Sequence, residues 1–225
     1  MTELSRSLYS EDKKSKLNIL LNVLIILIAV LLVFELLFSA NYSGIYVVGP
    51  SMNNTLTGAD AENEAGGDYV YVNRRVKPDY GDIVVVAKDE ETTIIKRVIA
   101  LGGDRIKLVN GKLYIMYKGD DEFTEIEEEY VSPENNTGEG NQPLDFPTRH
   151  GAIVSSGFLV RENHMFLMGD NRDWSLDSRE GSGRDFPISS LYGVVTSWSL
   201  NGKKFFTAIH TYFHFDLPRY FGIKK

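Results

Sequence analysis

Residues 17–38 read LNILLNVLIILIAVLLVFELLF, and the only clearly polar side chains in the run are Asn18, Asn22 and Glu35. A hydrocarbon core about 30 Å thick takes roughly 20 residues at helical rise, so the run predicts a transmembrane helix. The rival is a signal peptide cut near Ser39-Ala40, but the apolar core of such a peptide is only about 7–15 residues long. Arg6, Lys13, Lys14 and Lys16 precede the run, whereas no Lys or Arg stands between Ala40 and Asn73. The positive-inside tendency therefore places residues 1–16 in the cytoplasm and everything from residue 39 to 225 outside. Glu35 lies near the outer end, where a carboxylate reaches the interface.

Beyond the helix the sequence reads as short strands separated by turns. Strand-like runs are GIYVV (44–48), DYVYV (68–72), DIVVVA (82–87), TTIIKRVIAL (92–101), MFLM (165–168) and YGVVTSWSL (192–200). DRIKLV and KLYIMY flank Asn110-Gly111, the dipeptide that supplies positive φ at both centres of a type I′ hairpin turn. The expected fold is a mainly β extracytoplasmic domain carrying one N-terminal transmembrane helix. Within it, residues 118–149 contain ten acidic and two basic side chains around SPENNTGEGNQP and read as an acidic, solvated insertion at about 118–150. The C-terminal FFTAIHTYFHFDLPRYFGIKK is rich in aromatic rings and reads as a packed tail, with a membrane-interface contact as the alternative.

Composition closes several routes. The net charge of -7 gives no basic footprint for phosphates, so no nucleic-acid partner is expected. With no cysteine, disulfides and thiolate chemistry are excluded. His210 and His214 have metal-compatible spacing, yet HTYFH lacks the glutamate of a zinc-peptidase helix, so neither a metal nor any other cofactor is expected. No histidine sits in a motif that pairs it with a serine elbow.

A lysine can replace histidine as base if it is held neutral. At its ordinary pKa only about one lysine in a thousand is deprotonated at neutral pH, so burial has to disfavour the charge. In TTIIKRVIAL, strand alternation puts Ile94, Lys96 and Val98 on one face and Ile95, Arg97 and Ile99 on the other. Lys96 thus has β-branched apolar neighbours on both sides, although a snorkelling lysine on a half-exposed face fits the same pattern. A third cluster, MGDNRDWSLDSRE (168–180), mixes carboxylates, arginines and serines. Asp170, Asn171 and Asp173 offer oxygens to a cation, but the arginines favour a loop held by its own ion pairs.

Together these segments resemble the type I signal peptidases, or leader peptidases, a serine-lysine peptidase family. GPSMNNTL (49–56), GDIVVV (81–86), KRVIALGGD (96–104) and GDNRDWSLDSR (169–179) match the family's four boxes in order, beyond a membrane anchor, over roughly residues 17–200. The resemblance implies Ser51 as nucleophile and Lys96 as general base. It also implies Ser175 as the serine that orients the lysine, Asp177 with Arg179 as a structural ion pair, and Asp170 with Arg97 in the same supporting shell. Val47, Met52, Leu56, Ile94 and Ile95 would line shallow pockets for the small side chains of an Ala-x-Ala cleavage site. The implied partners are preprotein signal peptides, the lipid bilayer and the secretion translocon. The sequence departs from the family at Gly49, where some members carry a hydroxyl that completes the oxyanion hole, and at Asn54, where proline is usual; Ala100 and Gly102 replace a glycine and a proline. A dedicated processing peptidase for one pilin or surface protein, and an inactive anchored binding module, are the alternatives.

Overall fold

The computed structural model describes residues 3–60, 66–89, 92–180 and 183–213. The chain divides into two compact units, Met1–Tyr42 and Ser43–Lys225. The first is helix α1, Glu3–Asn41, within which Ser15–Asn41 is long and apolar enough to cross a membrane. Helix suits such a segment because every backbone hydrogen bond is made internally. Its apolar side chains from Leu17 to Leu37 are exposed, as a lipid-facing surface requires.

The second unit is mostly sheet. Strands β1 (Tyr42–Tyr46), β2 (Tyr69–Asn73), β3 (Ile83–Ala87) and β4 (Thr93–Leu101) are followed by the hairpin β5 (Arg105–Val109) and β6 (Lys112–Met116). Asn110 and Gly111 take φ of 50° and 76° between them, as the type I′ turn demands. Short strands β7 (Thr124–Ile126), β8 (Thr148–Arg149), β9 (Ala152–Ile153) and β10 (Phe158–Leu159) precede β11 (His164–Met168), β12 (Phe186–Pro187) and β13 (Leu191–Val195). A seven-stranded sheet has the order β1-β2-β13-β3-β4-β11-β12, and a four-stranded one the order β10-β5-β6-β7.

Alternation along β3 and β4 buries both faces of the large sheet. Ile83, Val85 and Ile95 join Val47, Met52, Leu56, Val70 and Val72 in one cluster. Val84, Val86 and Val98 join Met165, Leu167, Phe186 and Val194 in another. The double burial explains why β3 reads as an unbroken run of valines instead of alternating with polar residues. A third core, Ile106, Leu108, Leu113, Ile115, Phe146 and Phe166 among others, seals the smaller sheet.

One expectation changes. YGVVTSWSL is a strand only to Val195; Thr196 then caps helix α2 (Ser197–Asn201), its hydroxyl accepting from the Ser199 amide. The start of the aromatic stretch is likewise helical, α3 spanning Lys203–Phe213. Aromatic packing decides this, because Trp198 and Phe206 each pack against Tyr71 of β2. The rest of that tail, residues 214–225 with His214, lies outside the described residues.

Candidate active site

The nucleophile turn is built from its flanks inward. Gly49, with φ 79° and ψ 165°, delivers the chain into a single 3-10 turn, Pro50–Met52, in which proline's fixed φ suits the first position. Met52 and Leu56 are fully buried beneath the turn, and the Leu56 amide donates to the Met52 carbonyl. The loop 169–175 closes over it from the other side. The Asn171 amide donates to the Ser51 carbonyl at 3.1 Å, and the Asn171 side-chain amide to the Pro50 carbonyl at 3.2 Å. A Cβ at Gly169 would stand 2.3 Å from the Ser51 carbonyl oxygen, so only glycine permits this approach.

Forty-five residues later in the chain, Lys96 Nζ lies 2.6 Å from Ser51 Oγ, and it donates to the Ile95 carbonyl at 2.7 Å. Lys96 faces Val84 across the ladder and is 4% exposed. Burial is the main influence on its ammonium; Asp177 and Asp170 oppose it in part, Lys88 adds to it, and the pKa falls to about 8.

The predicted shell forms around this pair. Arg97 donates from Nε to Asp170 Oδ1 at 2.8 Å and from Nη2 to Oδ2 at 2.5 Å, and Thr55 Oγ1 donates to the same carboxylate at 2.5 Å. Arg179 grips Asp177 through Nε at 3.0 Å and Nη2 at 2.8 Å. Burial alone would push the Asp177 carboxyl up, but Arg179 and the amides of Gly169 and Arg179 outweigh it and hold the carboxyl below its usual range. Ser175 is also buried here, yet among the described residues its hydroxyl has no hydrogen-bond partner; the expected Ser175–Lys96 bond is not formed, because Nζ is turned to Ser51 and the Ile95 carbonyl. Among the described residues, no three His, Asp or Glu side chains converge where a metal could sit. The Asp173 oxygens considered for a cation instead accept from Thr137 and Gly138 amides.

A cleft of about 480 Å³ opens over Ser51 and Lys96. Of the five expected pocket residues, Val47, Ile94 and Ile95 line it, whereas Met52 and Leu56 belong to the core below. Lys88, Asn141, Trp174 and Leu176 line it as well.

With this geometry in view, comparison with known proteins is decisive. Residues 17–208 match the family model described as signal peptidase, peptidase S26. The chain belongs to this family. It is therefore a peptidase of the serine endopeptidase family S26. Signal peptidase I P of Bacillus subtilis subsp. natto is 34% identical over 155 residues, 66% of this chain and 72% of its own. Signal peptidase I S of Bacillus subtilis (strain 168) is 36% identical over 118 residues, 51% of this chain and 58% of its own. A solved signal peptidase I from Enterococcus faecalis V583 is 27% identical, with a TM-score of 0.41 over 54% of this chain and 98% of that one.

In this signal peptidase, sequence reasoning missed Asn141 of the acidic stretch and Asn171, which ties the loop to the nucleophile turn. Asn171 lies inside a quoted box, so its placement next to the arginine-held Asp170 was a usable signal. Asn141 carried none.

Proposed function

We propose that this signal peptidase is a membrane-anchored serine endopeptidase that removes N-terminal signal peptides after Ala-x-Ala-like sites, with Ser51 as nucleophile and Lys96 as general base. The observation that carries it is the 2.6 Å separation of Lys96 Nζ and Ser51 Oγ, with the lysine pKa lowered to about 8. About a tenth of such lysines are neutral at pH 7, roughly a hundredfold more than in water.

The chemistry follows from these atoms. Neutral Nζ takes the proton of Ser51 Oγ as the oxygen attacks the scissile carbonyl carbon. The resulting oxyanion accepts from the Ser51 amide, which sits at the start of the 3-10 turn where amides have no intrahelical acceptor. Collapse breaks the C–N bond, and the Lys96 ammonium gives its proton to the departing amine, leaving an ester on Ser51. Lys96, neutral again, draws a proton from water as the water attacks the ester; the acid product leaves and the hydroxyl is restored.

Binding uses the sheet edge. Pairing of β11 with β4 stops at Met168 and Arg97, so on that side Thr93–Lys96 have no strand partner among the described residues. An extended preprotein can add there, its small side chains facing the branched groups of Val47, Ile94 and Ile95. The apolar helix, with basic residues ahead of it, anchors the chain with its N-terminus in the cytoplasm and holds the site where signal peptides emerge.

Labelling the purified chain in detergent with a penem acylating probe and mapping the adduct tests the reading. Attachment at Ser51 that disappears in Lys96→Ala is expected; a Ser51→Ala chain that still cleaves an Ala-x-Ala preprotein overturns it.

A further inference from the structure

Part of the acidic stretch that reads as a solvated insertion contacts the elements that surround the candidate site. Its Glu128 is buried against the fully buried guanidinium of Arg172, and Arg172 Nε donates to the Gly169 carbonyl at 3.1 Å. Two residues on, the Tyr130 hydroxyl donates to the same Glu128 carboxylate at 2.6 Å while its ring lies 3.9 Å under the guanidinium of Arg97. Tyr130 therefore joins the Arg97–Asp170 pair beside the lysine to the Arg172 pair beside the nucleophile. The Asn135 side chain donates to Asn54 Oδ1 at 3.0 Å, and its carbonyl accepts from the Asp173 amide at 3.0 Å. Asn141 Oδ1 accepts from the Ser175 amide at 3.2 Å, and Gln142 Nε2 donates to the Ser175 carbonyl at 2.7 Å. A Cβ at Gly140 would come within 2.1 Å of the Asp173 carbonyl oxygen, so backbone lies on backbone here.

Solvation alone gives no reason for these contacts. A carboxylate beside a buried arginine, a phenol shared by two ion pairs and two amides aimed at one loop fix geometry more than they add stability, since buried ion pairs contribute little net free energy. What they fix is adjacent to the chemistry: Arg97 follows Lys96 in β4, Gly169 and Asn171 touch Ser51, and Asn54 lies three residues beyond it.

We propose that residues 128–142 form a strap that sets the separation of Ser51 and Lys96, with Glu128 and Tyr130 as positioning residues that lock the Arg97 side of the site to its Gly169–Ser175 side. The proposal rests on the Ser51–Lys96 reading and adds to it the part that holds the pair in register. A displacement of about 1 Å in a reacting pair can cost about a hundredfold in rate, so partial release of the strap is expected to appear in the chemical step first.

The test uses the purified full chain in detergent, with single-turnover acylation by a penem and steady-state cleavage of an Ala-x-Ala peptide. Tyr130→Leu keeps apolar bulk but removes the ring face; it is expected to slow acylation and kcat about tenfold with KM within about twofold. Tyr130→Phe keeps the face but breaks the hydroxyl bond to Glu128, so its rate is expected to fall between those of Tyr130→Leu and wild type. Glu128→Gln, which can still accept from Arg172 and Tyr130, is expected to fall less than Glu128→Ala. Unchanged acylation in Tyr130→Leu, a Tyr130→Phe chain as fast as wild type, or a rise in KM alone overturns the strap. Should Tyr130→Leu not fold, the half-buried Asn135→Ala tests the same strap at Asn54: about threefold slower acylation supports it and an unchanged rate overturns it. A wild-type chain never acylated at Ser51 overturns the dyad and the strap together, whereas normal wild-type acylation with silent variants overturns the strap alone.

Discussion

Lys96 Nζ lies 2.6 Å from Ser51 Oγ although the two residues stand on different elements, a 3-10 turn and the strand β4. The distance is that of a direct hydrogen bond along which a proton can move, and burial leaves part of the lysine neutral and able to accept it. Its pKa of about 8 sets the first prediction. With the neutral amine as the proposed base, kcat/KM should climb tenfold per pH unit below about 8 and level off above it. A pH-rate profile on a peptide substrate checks this; a plateau already reached at pH 6 would exclude Lys96 as the titrating base.

Burial that tunes the lysine also costs stability. The folded pKa is depressed below the unfolded value, so the unfolded chain binds more protons between about 8 and 10.5. The penalty is therefore complete below pH 8 and fades as pH rises to 10.5. Replacing Lys96 by Met should abolish cleavage yet raise stability by about 1–3 kcal/mol at pH 7. Thermal unfolding of both proteins at pH 7 and near pH 10.5 measures it; the gain should shrink at the higher pH.

How far the site was legible depends on where its constraints lie. Ser51, Lys96 and the ion-pair partners of both arginines could be read because each sits inside a short box with a distinctive residue order. Alternation in β4 put Lys96 between Ile94 and Val98 on one face, and the structure buries it opposite Val84. The role of residues 128–142 could not be read. Glutamate, asparagine and glycine there look the same on a solvated loop as on a strap, because the distinction is made by partners forty or more residues away, Arg172 for Glu128 and Asn54 for Asn135. Helix α2 escaped for a related reason: Thr196 is a good strand residue, and its cap bond to the Ser199 amide together with the packing of Trp198 on Tyr71 turns the chain.

Asp177 and Arg179 form a pair in which both side chains are almost wholly buried. Removing one member leaves an unpaired charge in the interior, so Arg179→Ala should cost about 3–5 kcal/mol, and Asp177→Ala about as much. A double substitution to apolar residues should cost much less than the sum, since no orphan charge remains. Urea unfolding of the two single variants and the double variant closes the cycle; strict additivity would contradict the pairing.

Asn54 departs from the proline usual at this point in the signal peptidase family, and its backbone supplies the reason. Its φ is 93°, where proline, fixed near -65°, cannot follow and where few residues other than glycine, asparagine and aspartate are found. Restoring the family residue with Asn54→Pro should therefore harm this protein, by about 1–3 kcal/mol of strain, and slow acylation by shifting the turn that carries Ser51. Gly49 obeys the same logic. A Cβ there would meet no atom of the described residues within 4 Å, but φ of 79° with ψ of 165° is close to a glycine-only conformation. Gly49→Ser, which would place a hydroxyl near the oxyanion, is expected to lose rather than gain rate. Asn54→Gly serves as the control, because glycine tolerates positive φ and should keep most of the stability while losing the bond from Asn135. Thermal unfolding and penem acylation of Asn54→Pro, Asn54→Gly and Gly49→Ser check the set. A proline variant as stable and as fast as wild type would show that the turn does not need positive φ at Asn54.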